Sequence, residues 1–168
     1  MARPNMWWIV ANDHDPEHGW HWDRFFSRPE DPRQNFNWGG PNWIRSTTSM
    51  ARVRDMRKGD LVAAYQASEG VVGFALLASD GRTSEDTGKF DTFDLAASPT
   101  LKLRTPIPLE VIKDQPAAKE AFEFLRIVQQ GSVFRVAPSG QDRLISLARQ
   151  FNPGQTAAIQ PFTVTSSA

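Results

Sequence analysis

Asn35-Phe36-Asn37-Trp38-Gly39-Gly40-Pro41-Asn42-Trp43 leads into residues 44–56, then Arg57-Lys58-Gly59-Asp60 and Leu61-Val62-Ala63-Ala64-Tyr65-Gln66. Trp38 stands beside two glycines, so backbone can come close to whatever its ring stacks on. A basic segment follows, carrying Arg45, Arg52, Arg54, Arg57 and Lys58. The Lys-Gly-Asp turn then feeds an apolar run that reads as a buried strand. A stacking ring, a positive flank and a rigid strand are the parts of a site for a nucleic-acid base. The same residues also fit a plainer reading, in which Trp38 and Trp43 are core rings and the arginines form a solvated helix face.

Working outward, 168 residues fit one domain with a real core. The 40% hydrophobic content suits a folded chain. Formal net charge is zero, so any affinity for nucleic acid has to come from a local patch. Charge is uneven: Asp13, Asp15, Glu17, Asp23, Glu30 and Asp31 crowd one stretch, and the arginines follow it. The absence of cysteine excludes disulfides, thiolate nucleophiles and cysteine-ligated zinc. No apolar run reaches membrane-spanning length, and the N-terminus lacks the apolar core of a signal peptide, so a soluble cytoplasmic protein is the default expectation. Six tryptophans stand against one tyrosine. All six precede Ile44, which makes the N-terminal part either a core wall or a ligand pocket.

Met6-Trp7-Trp8-Ile9-Val10-Ala11 reads as the first strand. Residues 20–26 form a short helical turn, and 44–56 a helix on the spacing of Met50, Val53 and Met56. Residues 61–66 and 71–77 make a hairpin across Ala67-Ser68-Glu69-Gly70. Residues 79–89 read as a loop, and 92–97 as a strand. Pro106 and Pro108 make 105–112 an edge or crossing segment. Residues 116–124 are a helix candidate and 132–136 a short strand. Residues 139–151 are the clearest helix, with Ser139 and Asp142 in a capping-box pattern and Leu144, Ile145, Leu147 and Ala148 as its buried stripe. The expectation is a single α+β domain over 1–154, a curved mixed sheet or partial barrel flanked by helices, with 155–168 as a flexible tail.

The ordered set of anchors resembles the EVE domain, a PUA-like fold related to YTH domains. The opening strand Trp7-Trp8-Ile9-Val10, the loop Trp38-Gly39-Gly40-Pro41-Asn42, and Met56-Arg57-Lys58-Gly59-Asp60-Leu61-Val62 with Tyr65 carry it first. Gly70-Val71-Val72-Gly73-Phe74-Ala75, Pro106-Ile107-Pro108-Leu109 and Leu125-Arg126-Ile127 up to Ser132-Val133 complete it. It spans roughly Met6 to Phe151; the stretch Asp13–Trp22 and the loop after Ser79 depart from it. The resemblance implies a reader that takes a modified base into an aromatic pocket and catalyses nothing. DNA is the leaning, because such domains accompany systems that sense modified DNA; modified RNA is the runner-up. Trp38 matches the family's cage tryptophan, with Phe90, Trp20 and Trp22 as candidates for the opposite wall. Gly39 lies beside the ring, and Asn12 is a candidate for a base edge or simply a turn residue. Arg45, Arg52, Arg54 and Lys58 are expected on phosphates, which position a strand without reading it. Trp43 and Tyr65 read as core. Any cutting of nucleic acid would fall to a separate nuclease or other effector chain.

Competing chemistry is thin. His14, His18 and His21 lie among carboxylates, a donor set that suits a divalent metal in a hydrolase. They sit, however, in a Pro- and Gly-punctuated stretch that matches no ligand motif, and no metal or other cofactor is expected. Serine-nucleophile, phosphate-loop and dinucleotide signatures are absent. A small-molecule or nucleoside pocket on the same scaffold is the remaining alternative.

Overall fold

In the computed structural model, residues 3–14, 19–27, 34–39, 52–87, 91–126 and 133–163 are described. The expectations for Trp43, Arg45, Phe90, His18 and the first part of the 44–56 helix fall outside them.

Two hydrophobic strands form the centre. β1 (Met6–Ala11) and β3 (Leu61–Gln66) pair in parallel, Met6 opposite Leu61 through Ala11 opposite Gln66. Both are almost continuously apolar because both faces of this pair are covered, as in other buried parallel strands. β4 (Gly70–Leu76) turns back antiparallel on β3, and β6 (Leu101–Ile107) pairs with β4. β7 (Val133–Val136) closes the other side against β1, giving the order β6-β4-β3-β1-β7. A second ribbon, β2 (Phe36–Gly39) with β5 (Thr92–Leu95), continues from the end of β4. Ala78 donates its N–H to Asp94 O and Ala96 donates to Leu76 O, both at 2.8 Å. Among the described residues β7 does not pair with β2 or β6, so the curved sheet stays open.

The alternation of side chains splits the interior in two. Trp8, Ala63, Tyr65 and Phe74 face the long helix α6 (Pro138–Phe151). Trp7, Ile9, Val62, Ala64 and Ala75 face the second ribbon, α1 (Asp23–Phe26) and the helical turn α2 at 52–55. The Lys-Gly-Asp turn joins these parts. Gly59 has φ +91°, a left-handed geometry that favours glycine. The nearly buried carboxylate of Asp60 accepts from Trp7 Nε1 at 3.0 Å, Asn5 N–H at 3.2 Å and Arg57 N–H at 2.9 Å.

Four expectations need correction. The 79–89 loop contains α3 (Ser84–Thr87), whose start is held by the Thr83 N–H and hydroxyl donating to Asp86. Residues 105–107 lie in an edge strand as expected, running through Pro106, but the rest of that segment becomes a helix, α4 (Leu109–Lys113). β6 is an edge strand, where a missing N–H breaks no ladder. The helix expected at 116–124 shrinks to α5 (Ala118–Ala121) and a 3-10 turn at Glu123–Leu125. Phe122 leaves the helix to bridge Val136. α6 starts at Pro138, before Ser139, with Ala137 at the cap position, so there is no side-chain cap, and Asp142 instead pairs with Arg3 at 2.6 Å.

The tail is also different from the flexible segment expected. Thr156–Ile159 form α7 and Gln160–Phe162 a 3-10 turn, and Ile159 and Phe162 are completely buried. The segment is too short for its apolar spacing to stand out. No helix among the described residues is long and apolar enough to cross a membrane.

Candidate functional site

At the C-terminal ends of the parallel strands, Ala11 and Gln66 lie side by side. Gln66 is wholly buried, and its side-chain amide ties down the segment that follows β1. Its Oε1 accepts the Trp22 N–H at 2.9 Å, and its Nε2 donates to Trp20 O at 3.3 Å. The Trp22 indole N–H reaches Tyr65 O at 3.2 Å and Ile9 O at 3.3 Å. Trp20 N–H donates to Asn12 O at 2.9 Å. A glutamine closing an otherwise apolar strand was the one signal for this role, and sequence reasoning missed it.

Three of the expected pocket residues come together here. Trp22 and Trp38 stack with centroids 4.6 Å apart and planes 26° apart. Trp20 stands edge-on to Trp38 at 4.4 Å and to Trp22 at 5.3 Å. Phe93 lies parallel to Trp38 at 6.2 Å. Trp22 is fully enclosed and Trp38 is 6% exposed, whereas Trp20 is half-buried and outermost. Trp38 belongs to β2, whose ribbon is pinned by Thr92: its hydroxyl donates to Trp38 O at 2.7 Å and accepts Asn37 Nδ2 at 2.8 Å. Gly39 ends the same strand, opposite Thr92. Asn12 is exposed, but its Oδ1 accepts His14 N–H at 2.8 Å, a local turn contact.

The basic segment is largely engaged. Arg52 is turned inward, 6% exposed, with its guanidinium on Glu123 and over the Phe134 ring at 5.2 Å. This corrects the placement of Arg52 on a solvated face: the ring and the carboxylate on the β7 side draw it in. Burial pushes the Glu123 carboxyl up, but hydrogen bonds from Arg52 and the Arg135 N–H, with both charges, hold it below the usual range. Arg54 is half-exposed and pairs with Glu85 at 3.1 Å. Arg57 donates to the Arg54 and Met56 carbonyls. Lys58 is exposed.

His14 and His21 are drawn to the β3–β4 turn rather than to each other. His14 Nε2 meets Ser68 Oγ at 3.1 Å, and His21 bridges Glu69 and the Asp23 N–H. No group of three or more His, Asp or Glu suited to a metal ion occurs among the described residues. Tyr65 lies in the other core against Trp8, at 4.9 Å; burial, then the charge of Glu110, pushes its phenol up.

No family model matches the chain, and no curated protein matches it. Solved structures do. A Rhodopseudomonas palustris protein is 21% identical, with TM-score 0.66 over 88% of this chain and 95% of that one. Human THYN1, solved in complex with 5-methylcytosine-containing DNA, is 15% identical, with TM-score 0.66 over 86% of this chain and 97% of that one. The DUF55 domain of human thymocyte nuclear protein 1 matches at 15% identity and TM-score 0.63, over 86% of this chain and 98% of that one. The likeness establishes the fold: this is the EVE-type, PUA-like architecture.

Proposed function

We propose that this chain is a non-catalytic module that binds nucleic acid, DNA in the first place, and recognises a modified base at the Trp20–Trp22–Trp38 cluster. The observation that carries the reading is the shared fold with human THYN1, a protein solved on 5-methylcytosine DNA. The tryptophan cluster at the ends of β1 and β3 supplies the chemistry. A flipped base gives up a few kcal/mol of stacking and pairing. Stacking on an aromatic ring returns about 1–3 kcal/mol.

Trp22 and Trp38 are stacked too closely to admit a base between them. The base instead takes the place of Trp20, the half-buried outer ring that meets Trp38 edge-on, and Trp20 moves outward to stack on it. A methyl group adds only about 0.8 kcal/mol by area burial, so discrimination rests on the dryness and shape of that slot. Lys58 and Arg54 remain the phosphate contacts in this reading. The exposed pair of Arg54 with Glu85 is worth little and opens readily. Arg45 and Phe90 keep the roles the resemblance implies for them.

The test is a binding screen of DNA and RNA oligonucleotides, with cytosine and 5-methylcytosine, at two salt concentrations. A preference for the modified DNA strand that persists at the higher salt is expected. Equal binding to every strand, set by salt alone, would sink the reader and leave a nonspecific binder. Preference for a modified RNA, or retention of a free nucleoside, would move the assignment to those ligands.

A further inference from the structure

A separate cleft of about 310 Å³ lies on the other side of the sheet, between the N-terminal segment, α6 and the C-terminal turns. It follows from the helical period. Asp142, Ser146 and Arg149 fall on one stripe of α6, next to the stripe of Leu144, Leu147 and Ala148 that packs inward. Arg3 walls one end and Gln160 and Thr163 the other, over a floor of buried Ile145 and Phe162.

The two arginines are in different states. Arg3 is satisfied: Nε donates to Oε1 of buried Gln141 at 3.1 Å, and Nη2 to Pro138 O at 3.2 Å and Asp142 at 2.6 Å. Arg149 is not. Its Nε is enclosed and has no hydrogen-bond partner among the described residues, and its Nη2 has a 3.4 Å contact to Gln160 Oε1. Enclosed donors in folded proteins are nearly always paired, and an enclosed N–H left without an acceptor is costly. With Asp142 paired to Arg3, Arg149 has no carboxylate partner among the described residues, and the cleft carries its charge. The hydroxyl of Ser146 and the amide of Gln160 stand around it, while the Thr163 hydroxyl is spent on the Gln160 carbonyl at 2.5 Å. Donors on two separate elements about one guanidinium match the several acceptor oxygens of a phosphate group.

We propose that this cleft is a phosphate-binding site centred on Arg149, distinct from the tryptophan cluster and independent of the base-reading function. Gln160 turns aside to admit the ligand to the side-on edge of the guanidinium. The phosphate comes from a small phosphorylated molecule or from a nucleic-acid backbone, and the test separates the two.

The full chain is titrated with inorganic phosphate, a nucleoside monophosphate and a short unmodified DNA oligonucleotide. Ionic strength is held constant with chloride, and the Arg149 Nε–H resonance is followed by NMR together with Tm. A saturable shift of that resonance and a rise in Tm with phosphate or the monophosphate are expected, absent in Arg149→Gln. A saturable shift with the oligonucleotide alone, lost in Arg149→Gln, assigns the site to backbone phosphate. Should Arg149→Gln fold poorly, Ser146→Phe fills the cleft from an exposed position while leaving the guanidinium in place, and it should abolish the shift. No saturable shift with any of the three ligands, or equal shifts with chloride or in the Ser146→Phe protein, overturns the proposal.

Discussion

Trp38 and Trp20 separate stability from recognition. Trp38 is packed against Trp22 and Phe93 at 6% exposure, so Trp38→Ala should cost about 3–5 kcal/mol of stability, whatever it does to binding. Trp20 is half-buried, so Trp20→Ala should cost less stability. It should also change oligonucleotide discrimination, because it removes the ring whose place the base takes. Thermal unfolding and binding on both variants check this; an unfolded-like Trp20→Ala protein, or one with unaltered discrimination, would contradict the slot. Arg52 belongs to the same scale. Removing one partner of a buried pair costs about 3–5 kcal/mol, so Arg52→Ala should lower stability by that order. Glu123 gives the pH dependence. Its folded pKa lies below its unfolded value, about 4.3. Its contribution is therefore present above that value and is lost as pH falls through the lower folded pKa. The stability gap between the native protein and Glu123→Gln should be widest near neutrality and close progressively below about pH 4.3, as read from denaturant unfolding at stepped pH.

The C-terminal turns act as a brace on an edge strand. Asn152 Oδ1 accepts Thr105 N–H at 2.7 Å and its Nδ2 donates to Thr105 O at 2.9 Å. Gln155 does the same for Arg104 N–H and Lys102 O, both at 3.0 Å. Two side-chain amides thus stand in for a neighbouring strand along β6, a route by which an exposed edge is kept from pairing with another chain. Asn152→Ala should cost about 1–3 kcal/mol and promote self-association, seen together by thermal unfolding and size-exclusion chromatography. Truncation after Gln155 removes buried Ile159 and Phe162, together worth about 3–6 kcal/mol, and should lower the denaturation midpoint sharply. Neither effect was legible in the sequence, because capping by side-chain amides and four-residue turns leave no periodic trace. What was legible had a strong local cause. β1, β3 and β4 are apolar runs bounded by Gly, Asp and Asn, and the inward stripe of α6 repeats at helical spacing. The starts and stops of the helices were harder, since Phe122 is claimed by Val136 and α6 begins at Pro138, ahead of the Ser139 that looked like its cap.

Over the whole molecule, the central parallel pair is buried on both faces and so sets two cores back to back, the tryptophan cluster in one and α6 in the other. The anchors that resemble the EVE domain are mostly parts of this frame, which is why the fold could be read at identities where similar structures establish only the fold. The candidate site was half legible. Trp20, Trp22 and Trp38 do meet, but the buried amide of Gln66 that holds two of them is a long-range contact. Charge shows the same division. The basic segment read as one face, yet Arg52 is interior and Arg57 is spent on carbonyls, so a neutral chain retains few described cations there for phosphates. Affinity for unmodified DNA should accordingly depend only gently on salt. Removing one phosphate-binding cation should reduce the slope of log K against log salt by about 0.9. Lys58→Ala and Arg54→Ala should each lower it by that amount, equally for modified and unmodified strands, while folded Arg52→Ala leaves it unchanged. Binding isotherms at several salt concentrations decide the matter. A slope that falls with Arg52→Ala but not with Lys58→Ala would mean that the interior arginine swings out to the strand, and that DNA reaches the domain along the β7 side.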